Sequence, residues 1–356
     1  MNIAIVTGAS SGMGREFVLQ LHKYVSVDEI WVIARRQAAL DSLKAECSLP
    51  VRPVVLDLLD DTSYSTYSEL LAAEKPNVKL LVNAAGFGKF GDFEAISPKD
   101  DCKMIDLNCK ALVMMTRLTL PYMEKGSHIL QLDSLSAFQP VPYITTYGAT
   151  KAFVLSYSRA MNRELKPRGI RMMAMNPGWV KTEFFNHAVQ TNDGKVQYFN
   201  RLYEAKDVVA TGLKDLYKTK KDVSIHGFPV RMQVRAVKLL PHSMVMNTWL
   251  NQQKKPKNKK ISPSRAANEK ARPVFAALFP AFHRLCACCP RPEAHGSAAV
   301  CCPLHRCGAG RLRSALLRGK VYAHRRRQCR RQLPCGQLSA KAGRGGAGSR
   351  GLLPCP

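Results

Sequence analysis

Residues 2–15 read NIAIVTGASSGMGR. The apolar run Asn2–Val6 has the length and composition of a buried strand. It is followed by glycines at 8, 12 and 14, and then by helical spacing over Arg15–Tyr24. Glycines alone could mark a plain turn. Placed between a first strand and a first helix, they allow a tight turn, close approach of the backbone to a pyrophosphate and tight helix–strand packing. The free N–H groups at the helix start then face an anion. Gly8, Ser10, Ser11, Gly12, Met13 and Gly14 are therefore candidate cofactor contacts.

Working outward, five more apolar runs have strand character: Glu29–Ala34, Val51–Leu56, Lys79–Val82, His128–Leu132 and Ile170–Met175. Helical spacing separates them over Gln37–Cys47, Ser63–Glu74, Met104–Glu124 and Thr146–Lys166. Parallel strands need crossovers of this length. The pattern predicts an α/β fold: a Rossmann-like, doubly wound parallel sheet in a single domain, with ligands at the carboxyl ends of the strands where strand order reverses.

Composition places the domain at residues 1–252. From Gln253 to Pro356 there are 23 basic and 2 acidic residues, which supplies +21 of the net charge of +28, together with 9 of the 12 cysteines. Low aliphatic content and high charge predict that this basic, low-complexity tail is disordered. Its Cys286, Cys288, Cys289, Cys301, Cys302, His305 and Cys307 offer zinc ligands without clean knuckle spacing, so no metal site is assigned. The Arg325–Arg327 run could bind nucleic acid, but Tyr322 is the only aromatic beyond residue 283 to stack on bases. A GC-rich stretch translated in an unintended frame has the same composition, and that reading is preferred to either binding role. No run reaches the ~18 apolar residues of a membrane span. A basic leader is absent and Cys47, Cys102 and Cys109 are scattered, so a cytoplasmic location is expected.

The second predicted strand ends Ala34-Arg35-Arg36. An acid there would accept from the ribose 2′-hydroxyl of NAD(H), whereas arginine accommodates a 2′-phosphate. Ala34 removes the acid and Arg35, with Arg15 as a further candidate, supplies cation, so NADP(H) is expected in preference to NAD(H). A solvated arginine cluster is the alternative.

Later motifs stand in a fixed order: Asp57, Asn83-Ala84-Ala85-Gly86, Asn108, Ser134, Tyr147-Gly148-Ala149-Thr150-Lys151 and Asn176-Pro177-Gly178. With the glycine turn they make the chain, over about residues 2–251, resemble the short-chain dehydrogenase/reductases, specifically the generic bacterial oxidoreductases of that family. The resemblance implies hydride transfer between a nicotinamide and a carbonyl or secondary alcohol, with Tyr147, Lys151, Ser134 and Asn108 as the catalytic set. Tyr147 and Lys151 lie one helical turn apart on one face. A nearby ammonium favours the phenolate, so Tyr147 is expected to exchange protons near neutrality. Alone, such a pair is often a surface pair.

The resemblance gives Ser134 the role of holding the substrate oxygen. Ser136 competes for that role, and either serine could merely close a turn. Relatives usually carry two adjacent serines where this chain has Asp133-Ser134. Asn108 would open its helix locally and hold a water linking Lys151 to solvent; a capped or kinked helix is the alternative. Asp57 would bind the adenine amino group, with Leu58 alongside, unless it is a helix cap. Asn83, Ala84, Ala85 and Gly86 would pack on the adenosine half, and Ala84 stands where an asparagine is common. Pro177, Gly178, Val180 and Thr182 would wrap the carboxamide and phosphates, and Tyr147 and Lys151 also touch cofactor.

Phe184–Tyr203 occupies the place of a substrate lid. Phe87, Phe90, Phe138, Pro140, Val141, Trp179 and Phe185 suggest an apolar substrate pocket, or ordinary core. Phe228–Leu250, interrupted by Pro241, could cover the pocket, form a subunit contact or lie on a membrane surface, and packing onto the domain is expected. Relatives pair through the helices bearing Asn108 and Tyr147, so a homodimer or homotetramer is expected. A non-catalytic NADP-binding scaffold and a nucleic-acid adaptor are the competing classes.

Overall fold

The computed structural model of the chain describes residues 1–190, 194–199 and 201–254. These belong to one compact unit, Met1–Ala287; a second, Cys288–Pro356, and with it nearly all of the basic tail, lies outside the described residues. The candidate zinc and nucleic-acid residues of the tail fall there.

Among the described residues, nine strands are interleaved with helices. They are β1 (Asn2–Thr7), β2 (Glu29–Ala34), β3 (Val51–Val55), β4 (Asn77–Asn83), β5 (His128–Leu132), β6 (Arg171–Met175), β7 (Trp179–Lys181), β8 (Leu202–Glu204) and β9 (Val223–Ser224). Seven form a sheet in the order β3-β2-β1-β4-β5-β6-β9, every pair parallel, and β7 and β8 make a separate parallel pair. Pro53, which cannot donate to a ladder, is tolerated because β3 is an edge strand. Strand order reverses between β1 and β4, which opens a crevice above their carboxyl ends.

The sheet is covered on both faces because its strands are apolar on both. In β1, Ala4 and Val6 join one core with Phe17, Val18 and Leu213, whereas Ile3 and Ile5 join another with Tyr67, Met115 and Met161. Trp31 and Ile33 of β2 share that second core, and Ile30 and Val32 the first. The first face is covered by α1 (Gly12–Gln20), α2 (Gln37–Glu46) and, later in the chain, Ala205–Lys218. The second is covered by α3 (Thr62–Glu74), Ala111–Thr119 and Thr145–Glu164.

The helix expected over Met104–Glu124 instead begins as α4 (Pro98–Ile105), because Ser97 Oγ accepts from Asp100 N at 3.1 Å and Pro98 takes the first helical position. It passes through a π-helical turn, Asp106–Lys110, centred on Asn108, and continues as α5 (Ala111–Thr119). The remaining helices are α6 (Thr145–Glu164), α7 (Glu183–Gln190), α8 (Ala205–Lys218), α9 (Phe228–Leu239) and α10 (His242–Gln253). Pro241 separates α9 from α10. Gln253, assigned by composition to the tail, is buried at the end of α10, and its Oε1 accepts from Gln197 N and Tyr198 N, both at 2.9 Å. No described helix is long and apolar enough to cross a membrane.

Candidate active site

A cavity of ≈ 580 Å³ lies above the carboxyl ends of β1, β4 and β5. Its floor at one end is the glycine turn. A Cβ on Gly8 (φ +68°) would come 2.7 Å from Ala85 N, and one on Gly14 would come 2.1 Å from Gly8 O. Only a missing side chain allows β1, β4 and α1 to approach this closely. Thr7 Oγ1 ties the two strand ends together by accepting from Ala84 N and Ala85 N, both at 3.1 Å. Ser11 at the start of α1 makes no side-chain cap, so the first-turn N–H groups of the helix, which cannot bond within it, face the cavity. This cradle fits a dinucleotide phosphate.

Gly8, Ser10, Ser11, Gly12, Met13, Gly14, Arg35, Asp57, Leu58, Ala84, Ala85 and Gly86 all line the cavity, as do Pro177, Gly178, Val180 and Thr182. Asn83 does not: its amide turns inward and donates to Thr116 Oγ1 at 3.0 Å. Asp57 is not a helix cap, since α3 starts at Thr62; its Oδ1 accepts from Leu59 N at 3.1 Å. Of the arginines, Arg15 is absent from the wall and pairs with Glu46 and Ser42 on α2. Arg36 joins Arg35 on the wall, donating to Ser10 Oγ at 3.3 Å and pairing with Glu183 at 3.0 Å. That hydrogen bond from Arg36 holds the Glu183 carboxyl below its ordinary range, with a smaller contribution from the Ser11 hydroxyl. The Glu183 carboxylate thus reaches from α7 to cations and donors that suit a phosphate.

Toward the other end, α6 presents Tyr147 and Lys151, which are 8 % and 6 % exposed, to the cavity. Lys151 Nζ donates to Leu132 O at 2.8 Å and lies 5.6 Å from the centre of the Tyr147 ring. Ser134 Oγ accepts from Ser136 N at 3.2 Å, which closes a turn, and its hydroxyl also acts on the Tyr147 phenol, favouring the ionised form. Ser134 therefore closes the turn and shares the cavity with the phenol, while Ser136 Oγ is buried without a partner among the described residues. Gly88 makes room for the ring, since a Cβ there would come 2.8 Å from Tyr147 Cδ2.

Electrostatics depart from expectation at Tyr147. Burial raises its hydroxyl above the ordinary tyrosine value; the Ser134 hydroxyl pulls it down and the Asp133 carboxylate adds to the rise. Burial likewise lowers Lys151, opposed by Asp133. At Tyr147, desolvation outweighs the help that the ammonium was expected to give.

Asn108 is 1 % exposed and does not line the cavity. Its Nδ2 donates to Phe87 O at 2.9 Å and Thr150 Oγ1 at 3.1 Å, and its Oδ1 accepts from Phe87 N at 3.0 Å. An amide satisfied sideways in this way competes with helical backbone bonding, and the helix here widens into the π turn.

The far wall is aromatic. Trp179 of β7 meets Phe90, Phe185, Phe199 and Trp249 with ring centres 5.0–6.4 Å apart. Phe184 leans on Tyr147 at 5.5 Å. Phe87, Phe138 and Val141 line the cavity as anticipated, but Pro140 does not. Trp249 of α10, fixed by its Nε1 donating to Pro142 O at 3.0 Å, also lines the cavity; its segment was one that could cover the pocket, although the residue itself was not singled out.

Comparison with known proteins agrees with this architecture. Residues 2–193 match the family model for short chain dehydrogenase. The NADP-dependent 3-hydroxy acid dehydrogenase YdfG of Escherichia coli (strain K12) is 32% identical over 247 residues, covering 67% of this chain and 94% of that protein. The very-long-chain 3-oxoacyl-CoA reductase of Bos taurus is 32% identical over 190 residues, 50% of this chain and 60% of that protein. The closed form of serine dehydrogenase complexed with NADP+ is a structural neighbour at TM-score 0.50 and 31% identity, covering 58% of this chain and 86% of that one. A short-chain dehydrogenase from Sphingobium yanoikuyae in complex with NADPH shares the fold at TM-score 0.58 and 23% identity, covering 74% of this chain and 100% of that one.

Proposed function

We propose that this chain, an oxidoreductase that belongs to the short-chain dehydrogenase family, moves hydride between NADP(H) and an apolar carbonyl compound or its alcohol. The observation that carries the reading is the convergence of Tyr147, Lys151 and Ser134 on the same cavity as the glycine cradle. Gly8–Gly14, Asp57, Leu58, Ala84–Gly86 and Pro177–Thr182 would hold the dinucleotide, with Arg35 and Arg36 at its 2′-phosphate. YdfG is NADP-dependent by name, and NADP+ occupies the serine dehydrogenase structure. Bound there, the nicotinamide supplies or accepts the hydride.

The residues of the chain handle the proton. A phenol kept protonated by burial is set to donate to a carbonyl oxygen, so Tyr147 is the general acid of reduction. Ser134, lining the cavity with Tyr147 and acting on its hydroxyl, holds the same oxygen. The Lys151 ammonium stabilises the phenolate left behind. Asn108 braces Phe87 against Thr150, immediately before Lys151 in the chain. The aromatic wall excludes water and favours apolar substrates. We assign the activity to residues 1–252, with Gln253 closing the last helix. A homodimer through α5 and α6 fits the exposed Phe153, stacked on the partly buried Tyr157 at 5.9 Å.

Tyr147→Phe is the test. NADPH should bind as before, by fluorescence titration, while reduction of apolar ketones falls by about 10²–10⁴. Undiminished turnover would discard the mechanism.

A further inference from the structure

Asp133 follows β5 and stands between Leu132, whose carbonyl receives the Lys151 ammonium, and Ser134, which acts on the Tyr147 hydroxyl. It is 2 % exposed, yet it lines the same cavity as both of those groups. Its N–H donates to Met175 O at 2.8 Å, and its Oδ2 accepts from Asn176 Nδ2. Asn176 is itself buried and pins the loop by donating to Ser134 O at 2.9 Å. The other carboxylate oxygen, Oδ1, has no hydrogen-bond partner among the described residues. A buried carboxylate with one oxygen unpaired, next in the chain to the carbonyl that holds a buried ammonium and in the same cavity, is unfavourable unless each charge compensates the other.

We propose that Asp133 is a positioning residue: locked by Asn176, its carboxylate is the buried counter-charge that keeps Lys151 an ammonium. The proposal rests on the reading of Tyr147 and Lys151 as the proton-handling couple. Burial pushes the Asp133 carboxyl up, with the Lys151 charge, the Asn176 amide and the Ser134 N–H pulling it back. Burial lowers Lys151, and Asp133 is the principal group that raises it. Cys109, on the π turn packed against α6, is the other titratable group acting on Lys151; burial lifts its thiol to about 11, so it stays neutral near pH 7. Tyr147 faces Asp133 from α6, one helical turn before Lys151. Two groups coupled in this way titrate as a pair. Without the carboxylate the ammonium loses its support, and its proton leaves at lower pH.

The test is the pH profile of NADPH-dependent ketone reduction by the full chain carrying Asp133→Asn. Activity at about pH 6.5 should stay within about threefold of the parent, and activity at about pH 9 should fall about tenfold, because the alkaline limb moves down by about one unit. A limb that does not move, or a loss uniform across pH, overturns the proposal. If Asp133→Asn does not fold, Asp133→Ser removes the same charge and is held to the same outcomes. A second readout needs no substrate: the full chain with ¹³Cε-labelled lysine is titrated by NMR, with the Lys151 signal identified by its loss in Lys151→Met. That signal should titrate about one unit lower in Asp133→Asn. An unmoved signal overturns the counter-charge. A moved signal in a protein that reduces nothing upholds it, and the proposed function alone fails.

Discussion

The two ends of the cavity are built by different means. At the phosphate end, Thr7, Gly8, Gly14, Ala84 and Ala85 touch mainly through backbone atoms, and two short segments at the ends of β1 and β4 define the shape. At the substrate end, Phe90, Trp179, Phe185, Phe199 and Trp249 come from separate loops, strands and helices and meet only through their rings. A surface made of backbone tolerates almost no added atom. One made of side chains can lose a ring and repack.

This contrast sets the order of the expected effects. Gly14→Val is the most severe, because its Cβ would fall 2.1 Å from Gly8 O, against backbone that cannot yield. NADPH affinity should drop by about a hundredfold or more, given the ~1–3 kcal/mol typical of overpacking and the rigid neighbour here. Calorimetric titration measures it, and near-native affinity would show that the turn does not cradle the cofactor. Trp249→Ala should raise KM for an apolar ketone about tenfold and leave NADPH affinity unchanged, since Trp249 meets the site only through the aromatic wall. Steady-state kinetics at saturating NADPH would reveal equal damage to both, and so erase the distinction between the ends. Glu183→Gln should have the smallest effect. Its pair with Arg36 is half exposed on both sides, and such pairs are weak. Freeing Arg36 and Ser11 should tighten NADPH binding by about threefold, with the gain shrinking as salt is added. Weaker binding would mean that Glu183 helps the cofactor rather than competing with it.

The same contrast explains what could be read from sequence. The six apolar runs became strands, and the glycine turn, Ser134, Tyr147 and Lys151 came to one cavity. Each depends on periodicity or on a local turn. The helix start at Ser97-Pro98 was also legible as a cap followed by proline, although the expected start at Met104 passed over it. Strands β7, β8 and β9 are two or three residues long and carry too few residues to show a period. Asn83 was expected at the cofactor, but packing of β4 against α5 turned its amide to Thr116. Arg15 was the further candidate cation beside Arg35, and Arg36 was not singled out; Glu46 took Arg15, and the crevice kept Arg36.

The sequence by itself determined where strands and helices alternate, where the chain must lack side chains, and which phenol and amine lie one helical turn apart. These follow from steric rules acting over a few residues. Tertiary structure alone decided which charges meet and how dry they are. It placed Asp133 against Asn176 and in one cavity with Lys151, brought Glu183 to Arg36, and raised the Tyr147 hydroxyl where sequence suggested a fall. Coulomb attraction and desolvation depend on distance and surroundings in space, and separation along the chain encodes neither.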